Sequence, residues 1–176
     1  MINSEKSDFL MNDSLSEIII KTPATELIPE IFDLIGEYAE SGLLLPLTKE
    51  QIKERINSFY VAFLDNNLVA CVAFRNFGDK LFEIRSLAVN PNYSKRGIGS
   101  KIVAYILNDI LGKVDDPEIF ALTYQVSFFK KLGFEVVDKD IFPQKIWSDC
   151  SNCPKFSHCD ETAVLFKSKS SIKKYL

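Results

Sequence analysis

The sequence predicts one α/β (α+β) domain in which a mixed central β-sheet is flanked by helices. The chain has 176 residues, of which 47% are hydrophobic and 26% are charged, and this composition suits a single core. Three strand-like runs near the middle of the chain are joined by short turns, whereas helix-like runs separate the strands that follow. Short turns join antiparallel strands and helical crossovers join parallel ones, so we expect both kinds of pairing in one sheet.

The first third of the chain predicts a strand and two helices. The isoleucine-rich run SEIIIKT (16–22) is typical of a strand. Apolar residues recur every three or four positions over 24–41, which indicates an amphipathic helix. A second helix is predicted over 47–56, where Thr48 as the N-cap and Gln51 three residues later match a capping box.

The middle and the end of the chain predict five strands and two helices, followed by a last apolar run. The runs FYVAFLD, LVACVAFRNF and LFEIRSLAV form the antiparallel meander, because only short turns rich in Asn, Gly and Asp separate them. The later elements alternate between helix and strand. In order, we predict strands over 59–65, 68–77 and 81–89, a helix over 97–112, a strand over 117–124, a helix over 125–133 and a strand over 134–139, and a last apolar run follows over 162–167.

The composition excludes several classes of protein. The net charge is −3, which does not favour a nucleic-acid-binding protein. No apolar run approaches the roughly 20 residues that span a bilayer, and the N-terminus lacks the apolar stretch of a signal peptide. We therefore expect a cytoplasmic protein with neither a membrane nor a nucleic-acid partner. We expect a flexible segment over 1–15, a single domain over 16–167 and a mobile basic tail over 168–176.

The segment VNPNYSKRGIGSKIVAYIL (89–107) places two glycines and two cations between a strand and a helix. Glycines let a backbone approach a ligand closely, and the N–H groups at the start of a helix attract anions. Lys95 and Arg96 add positive charge beside Gly97 and Gly99. We predict that this loop holds a pyrophosphate. A glycine-containing turn with solvated cations is the alternative.

The run EIRSLAVNPNYSKRGIGSKIV resembles the GNAT acetyltransferase superfamily, in which a strand is followed by Q/R-x-x-G-x-G/A and a helix. The segment SFFKKLGF (127–134) resembles the later helix of that family. Ser94 stands where the family has Gln or Arg. The resemblance implies the GNAT fold and acetyl-CoA as co-substrate. It also implies a set of cofactor-binding residues, with the pantetheine arm on the strand and the pyrophosphate on the loop: Leu87, Ala88, Val89, Ser94, Lys95, Arg96, Gly97, Ile98, Gly99 and Ser100.

Glu83 and Arg85 are the charged residues of an otherwise apolar strand. Alternate residues of a strand share a face, so without a bulge both would lie on one side with Leu87 and Val89. A cross-strand salt bridge is one interpretation. Transfer of an acetyl group to an amine needs a neutral amine, and the family resemblance implies Glu83 as the general base and the Val89 N–H as the oxyanion donor.

Other roles follow from the chemistry that such a transfer needs. Arg85 could bind a substrate carboxylate through two hydrogen bonds. The departing thiolate accepts a proton, and many relatives use a tyrosine in the later helix, where this chain has Phe129. Tyr124, at the end of the preceding strand, is the nearest alternative donor, although it could also be a core aromatic residue.

Three segments narrow the resemblance: SGLLLPLTKEQI, FALTYQVSFFKKLGFEVVDK and FPQKIWSDCSNCPKFSHCDETAVL. Together they resemble short, stand-alone N-acetylglutamate synthase-like proteins, which implies acetylation of the α-amino group of L-glutamate in arginine biosynthesis. Lys145 and Gln125 join Arg85 as substrate-binding candidates. Leu47 departs from the Arg that we expect of these relatives. Another small amine, a protein lysine or a non-catalytic acyl-CoA or metal sensor is the alternative, and a homodimer stays open.

Three of the four cysteines lie close together near the C-terminus. Cys150 and Cys153 form a C-x-x-C pair, and Cys159 could complete a zinc site with them. His158 directly precedes Cys159, so ligation of one ion by both would be awkward. A redox pair or simple thiols are the other interpretations. Cys71 lies in the middle of a strand, and we expect it in the core.

Overall fold

The computed structural model describes residues 17–142, 148–153, 155–167 and 169–176. These residues form a single seven-stranded sheet with four α-helices. The expected flexible segment over 1–15 and Lys145 lie outside the described residues. In chain order the elements are β1 (Ile19–Lys21), α1 (Ile28–Glu40), α2 (Lys49–Glu54), β2 (Phe59–Leu64), β3 (Asn67–Asn76), β4 (Leu81–Val89), α3 (Ile98–Lys113), β5 (Glu118–Thr123), α4 (Val126–Lys131), β6 (Phe134–Val137) and β7 (Thr162–Phe166).

The strand order β1-β2-β3-β4-β5-β7-β6 confirms the mixed sheet. Strands β2, β3 and β4 form the expected antiparallel meander. Strand β5 runs parallel to β4 because helix α3 connects them, and β7 pairs antiparallel with both β5 and β6. The capping box of Thr48 and Gln51 at the start of α2 is also confirmed.

Helices cover both faces of the sheet, since the central strands are apolar on both sides. Helix α3 packs its buried side chains, including Ile102 and Ile106, against one face. Helices α1 and α2 cover the other face with Ile31, Ile35 and Ile52. Along β3, the buried Cys71 faces α1 and α2, as expected for a core thiol. None of the described helices is both long and apolar enough to cross a membrane.

A β-bulge in β4 changes which side chains share a face. Ala88 lies opposite Cys71, but Arg85 lies opposite Ala73, so two residues of β4 face one residue of β3. Ser86 stands in the bulge with φ of 52°, a left-handed conformation. The face with α3 receives Leu87 and Val89, whereas Glu83 and Arg85 lie on the opposite face. The four residues were expected on one side only if the strand had no bulge, and the bulge leaves Glu83 and Arg85 on one face and Leu87 and Val89 on the other.

Strands β4 and β5 pair over only three residues before they separate. Their register runs from Leu81 opposite Glu118 to Glu83 opposite Phe120. Beyond Glu83, the ladder between the two strands ends, while β4 continues to Val89 and β5 to Thr123. The diverging strand ends leave a cleft between them, which is where the candidate site lies.

The C-terminal part of the chain returns to the sheet and packs on it. Strand β7 inserts between β5 and β6, and Phe142 stacks on the ring of Phe120 with centroids 4.0 Å apart. The last residues form a 3₁₀ helix over Lys169–Tyr175. Ile172 of this helix is buried in the core under α3. The tail that we expected to be mobile thus packs on the core through Ile172 and, in part, Tyr175.

Candidate active site

The cleft between β4 and β5 opens into a cavity of about 520 Å³, which we call the main cavity. Its walls include the second half of β4, the loop before α3, the end of β5 and helix α4, and α1 with the loop after it and Glu161 also contribute. Such a volume matches the size of a small-molecule or cofactor site. Ligand sites in sheets with parallel strands commonly lie beyond the carboxyl ends of those strands, as this one does.

The loop before α3 presents a row of backbone N–H groups to the main cavity. Lys95 and Gly97 both have positive φ, 61° and 78°, and such alternation curls the backbone into an anion-binding concavity. The N–H of Lys101 donates to the Gly97 carbonyl at 3.0 Å and begins the helical ladder. The N–H groups of 98–100 precede that bond, so they stay outside the ladder at the positive end of α3.

Most of the loop residues expected to bind the cofactor line the main cavity. These are Ser94, Lys95, Gly97, Ile98, Gly99 and Ser100. The side chain of Arg96 does not line it, because its guanidinium stacks over the Tyr93 ring at 5.4 Å. On β4, Leu87 and Val89 line the cavity, whereas Ala88 is buried against helices α1 and α2.

The backbone of Val89 points into the cleft. The Asn90 N–H donates to the Val69 carbonyl at 2.8 Å, which makes those two residues a hydrogen-bonded pair. Such pairs alternate along an antiparallel ladder with pairs that point away from each other. Val89, opposite Ala70, therefore directs its N–H and C=O away from β3. Tyr38 of α1 donates to that carbonyl at 2.6 Å, and the N–H faces the main cavity.

Glu83 and Arg85 belong to a cluster of two carboxylates and two guanidinium groups. Arg85 Nη1 lies 2.7 Å from Asp149 Oδ2 and 3.6 Å from Glu83 Oε2. The other oxygen of Asp149 pairs with Arg75 Nη1. Glu83 is buried, and Arg85 and Asp149 are each 17% exposed, so water screens these charges only in part. Arg85 thus forms a salt bridge, but not across strands, because Asp149 lies outside the sheet and Glu83 lies on the same strand.

Opposing effects act on the pKa of Arg85. Burial lowers the pKa of this guanidinium, since burial disfavours charge. The nearby carboxylates of Glu83 and Asp149 favour the charged form and outweigh burial, so the pKa is raised overall. Arg85 is consequently a permanent cation at the junction of the sheet and the C-terminal segment.

A smaller cavity of about 90 Å³, the side cavity, adjoins the main one. Both are lined by Arg85, Ser86 and Glu161, so the bulge in β4 lies where they meet. The side cavity is also lined by Glu83 and by residues of the C-terminal segment: Asp149, Cys150, Cys153 and Cys159. Glu83, the proposed base, and the segment that carries the three cysteines are far apart in sequence. Both nevertheless border the side cavity.

Tyr124 lies at the rim of the main cavity and is held by two charged residues. Its hydroxyl donates to Asp160 Oδ1 at 2.8 Å, and Lys155 Nζ donates to the Tyr124 oxygen at 3.2 Å. Lys155 also donates to the Gly42 carbonyl at 2.7 Å, which ties the C-terminal segment to the loop after α1. The hydrogen bond to Asp160 raises the pKa of Tyr124, so the phenol keeps its proton at neutral pH.

Gln125 and Phe129 both line the main cavity, although Phe129 is largely buried. Gln125 lines it, and its backbone N–H donates to Thr123 Oγ1 at 2.8 Å at the start of α4. Phe129 is 4% exposed and packs with the core under α3. Of the expected site residues, Lys145 lies outside the described part of the chain.

The expected zinc site is not formed by the residues that the structure describes. Within the described residues, no three His, Cys, Asp or Glu side chains are placed to share one metal ion. Zinc holds each thiolate about 2.3 Å away in a tetrahedron, so all three sulfurs must converge on one point. Cys150, Cys153 and Cys159 instead lie along the wall of the side cavity and are not joined by disulfides.

Sequence reasoning missed Arg75, Asp149, Lys155 and Tyr38. Arg75 lies across from Glu83 in the β3–β4 register, so the predicted hairpin carried a signal for it. The other three reach the site only through tertiary contacts. Tyr38 was seen as an apolar helix position, and Asp149 and Lys155 as parts of a cysteine-rich segment.

Comparisons with known proteins identify a matching family and several relatives of this chain. A family model described as an acetyltransferase (GNAT) domain matches residues 55–136. An uncharacterised N-acetyltransferase of Chlorobaculum tepidum is 41% identical over 128 residues, which cover 73% of this chain and 82% of that protein.

Two further relatives are much longer than this chain. An amino-acid acetyltransferase of Neisseria meningitidis is 30% identical over 133 residues, 74% of this chain and 30% of that protein. The structure of N-acetylglutamate synthase from Neisseria gonorrhoeae, complexed with coenzyme A and N-acetyl-glutamate, superposes with a TM-score of 0.77 at 25% identity. That superposition covers 86% of this chain and 35% of the synthase. The chain thus spans about a third of either protein's length.

The charge cluster predicts a stabilising role for Asp149. The change Asp149→Asn removes the anion between Arg75 and Arg85, so we expect the free energy of unfolding to fall by about 1–3 kcal/mol. Urea denaturation measures it. Asp115→Asn, at an exposed position, is the control and should shift the midpoint little. Equal midpoints for both variants would contradict a stabilising cluster.

Proposed function

Because this chain belongs to the acetyltransferase (GNAT) family and is an acetyl-CoA-dependent N-acetyltransferase, we propose that its acceptor is the α-amino group of an amino acid, L-glutamate. The observation that carries this proposal is the position of a buried carboxylate, Glu83, beside a cation, Arg85, where the two cavities meet. An amino acid presents an amine and a carboxylate at that same short spacing. Synthesis of N-acetylglutamate by this reaction would serve arginine biosynthesis.

The loop before α3 is proposed to bind the pyrophosphate of acetyl-CoA. The N–H groups of 98–100, the positive φ of Lys95 and Gly97, and the charge of Lys95 all favour an anion at this point. The pantetheine arm would then lie along β4 in the cleft, where β5 has left the ladder. Leu87 would supply apolar contact for this arm. The Val89 N–H, which points away from β3, would face the end of the arm that carries the acetyl group.

The acetyl group would be transferred in one direct step. The neutral amine nitrogen attacks the thioester carbonyl carbon, the C–S bond breaks, and the products are the N-acetylated amine and coenzyme A. Glu83 is proposed to take the amine proton, directly or through water. It borders the side cavity and lies on β4 at the edge of the cleft. The Val89 N–H would stabilise the oxyanion of the tetrahedral intermediate.

Arg85 is proposed to bind a carboxylate of the acceptor. Its contacts with Asp149 and Glu83 both use Nη1, and a guanidinium carries further N–H donors on Nη2 and Nε. Gln125 can add a neutral hydrogen bond from the end of β5. Lys145 stays a proposed partner for the second carboxylate of glutamate, and Tyr124 a proposed proton donor to the departing thiolate.

The relatives support an amino acid as acceptor. The Neisseria meningitidis relative is named an amino-acid acetyltransferase, and the Neisseria gonorrhoeae structure holds N-acetyl-glutamate beside coenzyme A. The charges around Arg85 favour a less acidic amino acid as the second candidate for the acceptor. Asp149 already neutralises Arg85, and Leu47, beside Arg75 and Arg85, provides no charge there.

The proposal is tested by the release of free coenzyme A from acetyl-CoA with a panel of acceptors. The panel comprises the amino acids, polyamines and a lysine peptide, and the product is identified by mass. We expect saturable release with L-glutamate and a product with the mass of N-acetylglutamate. Turnover of a different amino acid would move the assignment to that substrate, and turnover of only polyamines or the peptide would overturn it.

The general-base role of Glu83 predicts a defect confined to turnover. Glu83→Gln should lower kcat by about 10²–10⁴-fold at neutral pH, because the amide cannot accept the amine proton. The defect should shrink at higher pH, where the acceptor amine loses its proton to solvent. Steady-state kinetics against pH measure this effect, and binding of acetyl-CoA should not change.

The control for that experiment is Glu135→Gln, which removes an exposed carboxylate from β6 far from the cleft. It should behave as the unmodified protein. A Glu83→Gln protein with the unmodified kcat at every pH would show that Glu83 is not the base.

The loop geometry predicts a loss of coenzyme A affinity in Gly97→Ala. The φ of 78° is strained for a residue with a Cβ atom by about 1 kcal/mol, so the N–H groups of the loop should shift. We expect coenzyme A to bind about five-fold more weakly by calorimetry. Gly36→Ala, at an uncrowded position inside α1, is the matched control and should bind normally. Equal affinities would contradict the loop assignment.

A further inference from the structure

Cys150 and Cys153 are held close together by a tight turn. Residues Cys150–Asn152 form one turn of 3₁₀ helix, and the N–H of Cys153 donates to the carbonyl of Cys150 at 3.0 Å. A hydrogen bond across four residues brings the first and last Cα atoms within about 7 Å. Disulfides join residues whose Cα atoms are about 4.4–6.8 Å apart. The backbone of the turn thus already has the spacing that a disulfide requires.

Both thiols are accessible from the side cavity. Each is partly exposed, and both line this cavity with Arg85 and Asp149. A small oxidant can reach them there without unfolding of the chain. Cys71 differs, because complete burial raises the pKa of its thiol to about 12 and leaves it unreactive.

The charge of Arg85 reaches the first thiol of the pair. Cys150 lines the side cavity together with Arg85, and the two groups interact electrostatically. A cation beside a cysteine favours the thiolate, which is the form that oxidants attack. Cys150 is therefore the residue from which oxidation should begin, with Cys153 as the resolving thiol.

We propose that Cys150 and Cys153 form a site of reversible oxidation by peroxides, and that the resulting disulfide changes how the side cavity binds the acceptor. The Cys150 thiolate attacks one peroxide oxygen, the O–O bond breaks, and a sulfenic acid forms as water or an alcohol leaves. The Cys153 thiol then attacks that sulfur, the S–O bond breaks, water leaves and the S–S bond forms. The pair loses two electrons and two protons, and the peroxide is reduced. A dithiol reverses the change by exchange.

We expect oxidation to change the binding of the acceptor through its effect on the position of Asp149. This residue directly precedes Cys150, and its carboxylate holds Arg75 and Arg85. A disulfide locks the turn that positions Asp149, and it draws two sulfurs of the cavity wall together. The anion-binding loop before α3 lines the main cavity alone, so acetyl-CoA binding should not change. The effect on the acceptor rests on the proposed function, whereas the disulfide does not.

The disulfide is tested on the full chain by exposing the reduced protein to hydrogen peroxide, blocking the remaining thiols by alkylation, and digesting with trypsin. Cleavage after Lys145 and Lys155 places Cys150 and Cys153 in one peptide, over 146–155, and Cys159 in the next. We expect the first peptide to lack two hydrogens and to escape alkylation. Alkylation of both its cysteines, or a link to the Cys159 peptide, would overturn the proposal.

Three single variants identify the pair. Cys150→Ser and Cys153→Ser should each abolish the modified peptide, and a dithiol should restore alkylation of the unmodified protein. Cys159→Ser is the matched control, because its thiol lines the same cavity but lies outside the turn. It should still form the disulfide. Loss of the disulfide in this variant would contradict the assignment to the turn.

The functional effect is measured by kinetics before and after oxidation, with whichever acceptor the panel identifies. We expect the KM for the acceptor to change about five-fold or more, the affinity for coenzyme A to stay constant, and a dithiol to reverse the change. Cys153→Ser should be insensitive to this treatment. A mapped disulfide with an unchanged KM would overturn control of the acceptor site. Failure of glutamate in the panel would instead contradict only the proposed substrate.

Discussion

The separation of β4 from β5 is the constraint on which the rest of the site depends. The two parallel strands share a ladder only as far as Glu83, and beyond it each strand leaves backbone groups facing the other across a cleft. Parallel strands normally stay paired and buried, so this opening needs stabilisation from elsewhere. Helix α3 and strand β7 hold the two strands from outside, and Tyr38 satisfies the Val89 carbonyl at the cleft wall.

The bulge at Ser86 divides β4 into two functional halves. Before it, Glu83 and Arg85 face α1, α2 and the C-terminal segment, and after it, Leu87 and Val89 face α3. One strand can therefore present the charged side chains of Glu83 and Arg85 to the side cavity. The apolar residues Leu87 and Val89 of the same strand line the main cavity. In the function that we propose, this division would separate the residues of proton transfer from those of cofactor binding, although they lie within a few residues of each other.

The C-terminal segment contributes the charged side chains of Asp149 and Lys155 to the site. Asp149 lies between Arg75 and Arg85, and Lys155 joins Gly42 to Tyr124 above the cavities. With Glu83 included, the cluster around Arg85 holds two cations and two anions, so its net charge is zero. A charged acceptor would therefore meet a balanced site, in which affinity depends on how an added anion redistributes these contacts. The same segment carries the thiols whose oxidation we propose to adjust that balance.

The sequence by itself determined the element order, the antiparallel meander, the capped helix α2 and the glycine loop before α3, because these depend on local periodicity, turn residues and caps. It also indicated Glu83 and Arg85, since charges in an apolar strand need partners. Only the tertiary structure decided the bulge at Ser86, the absence of a zinc site among the described residues, and the pairing of Arg85 with Asp149. Contacts across 64 residues of chain follow from packing of the whole domain, and no local pattern encodes them.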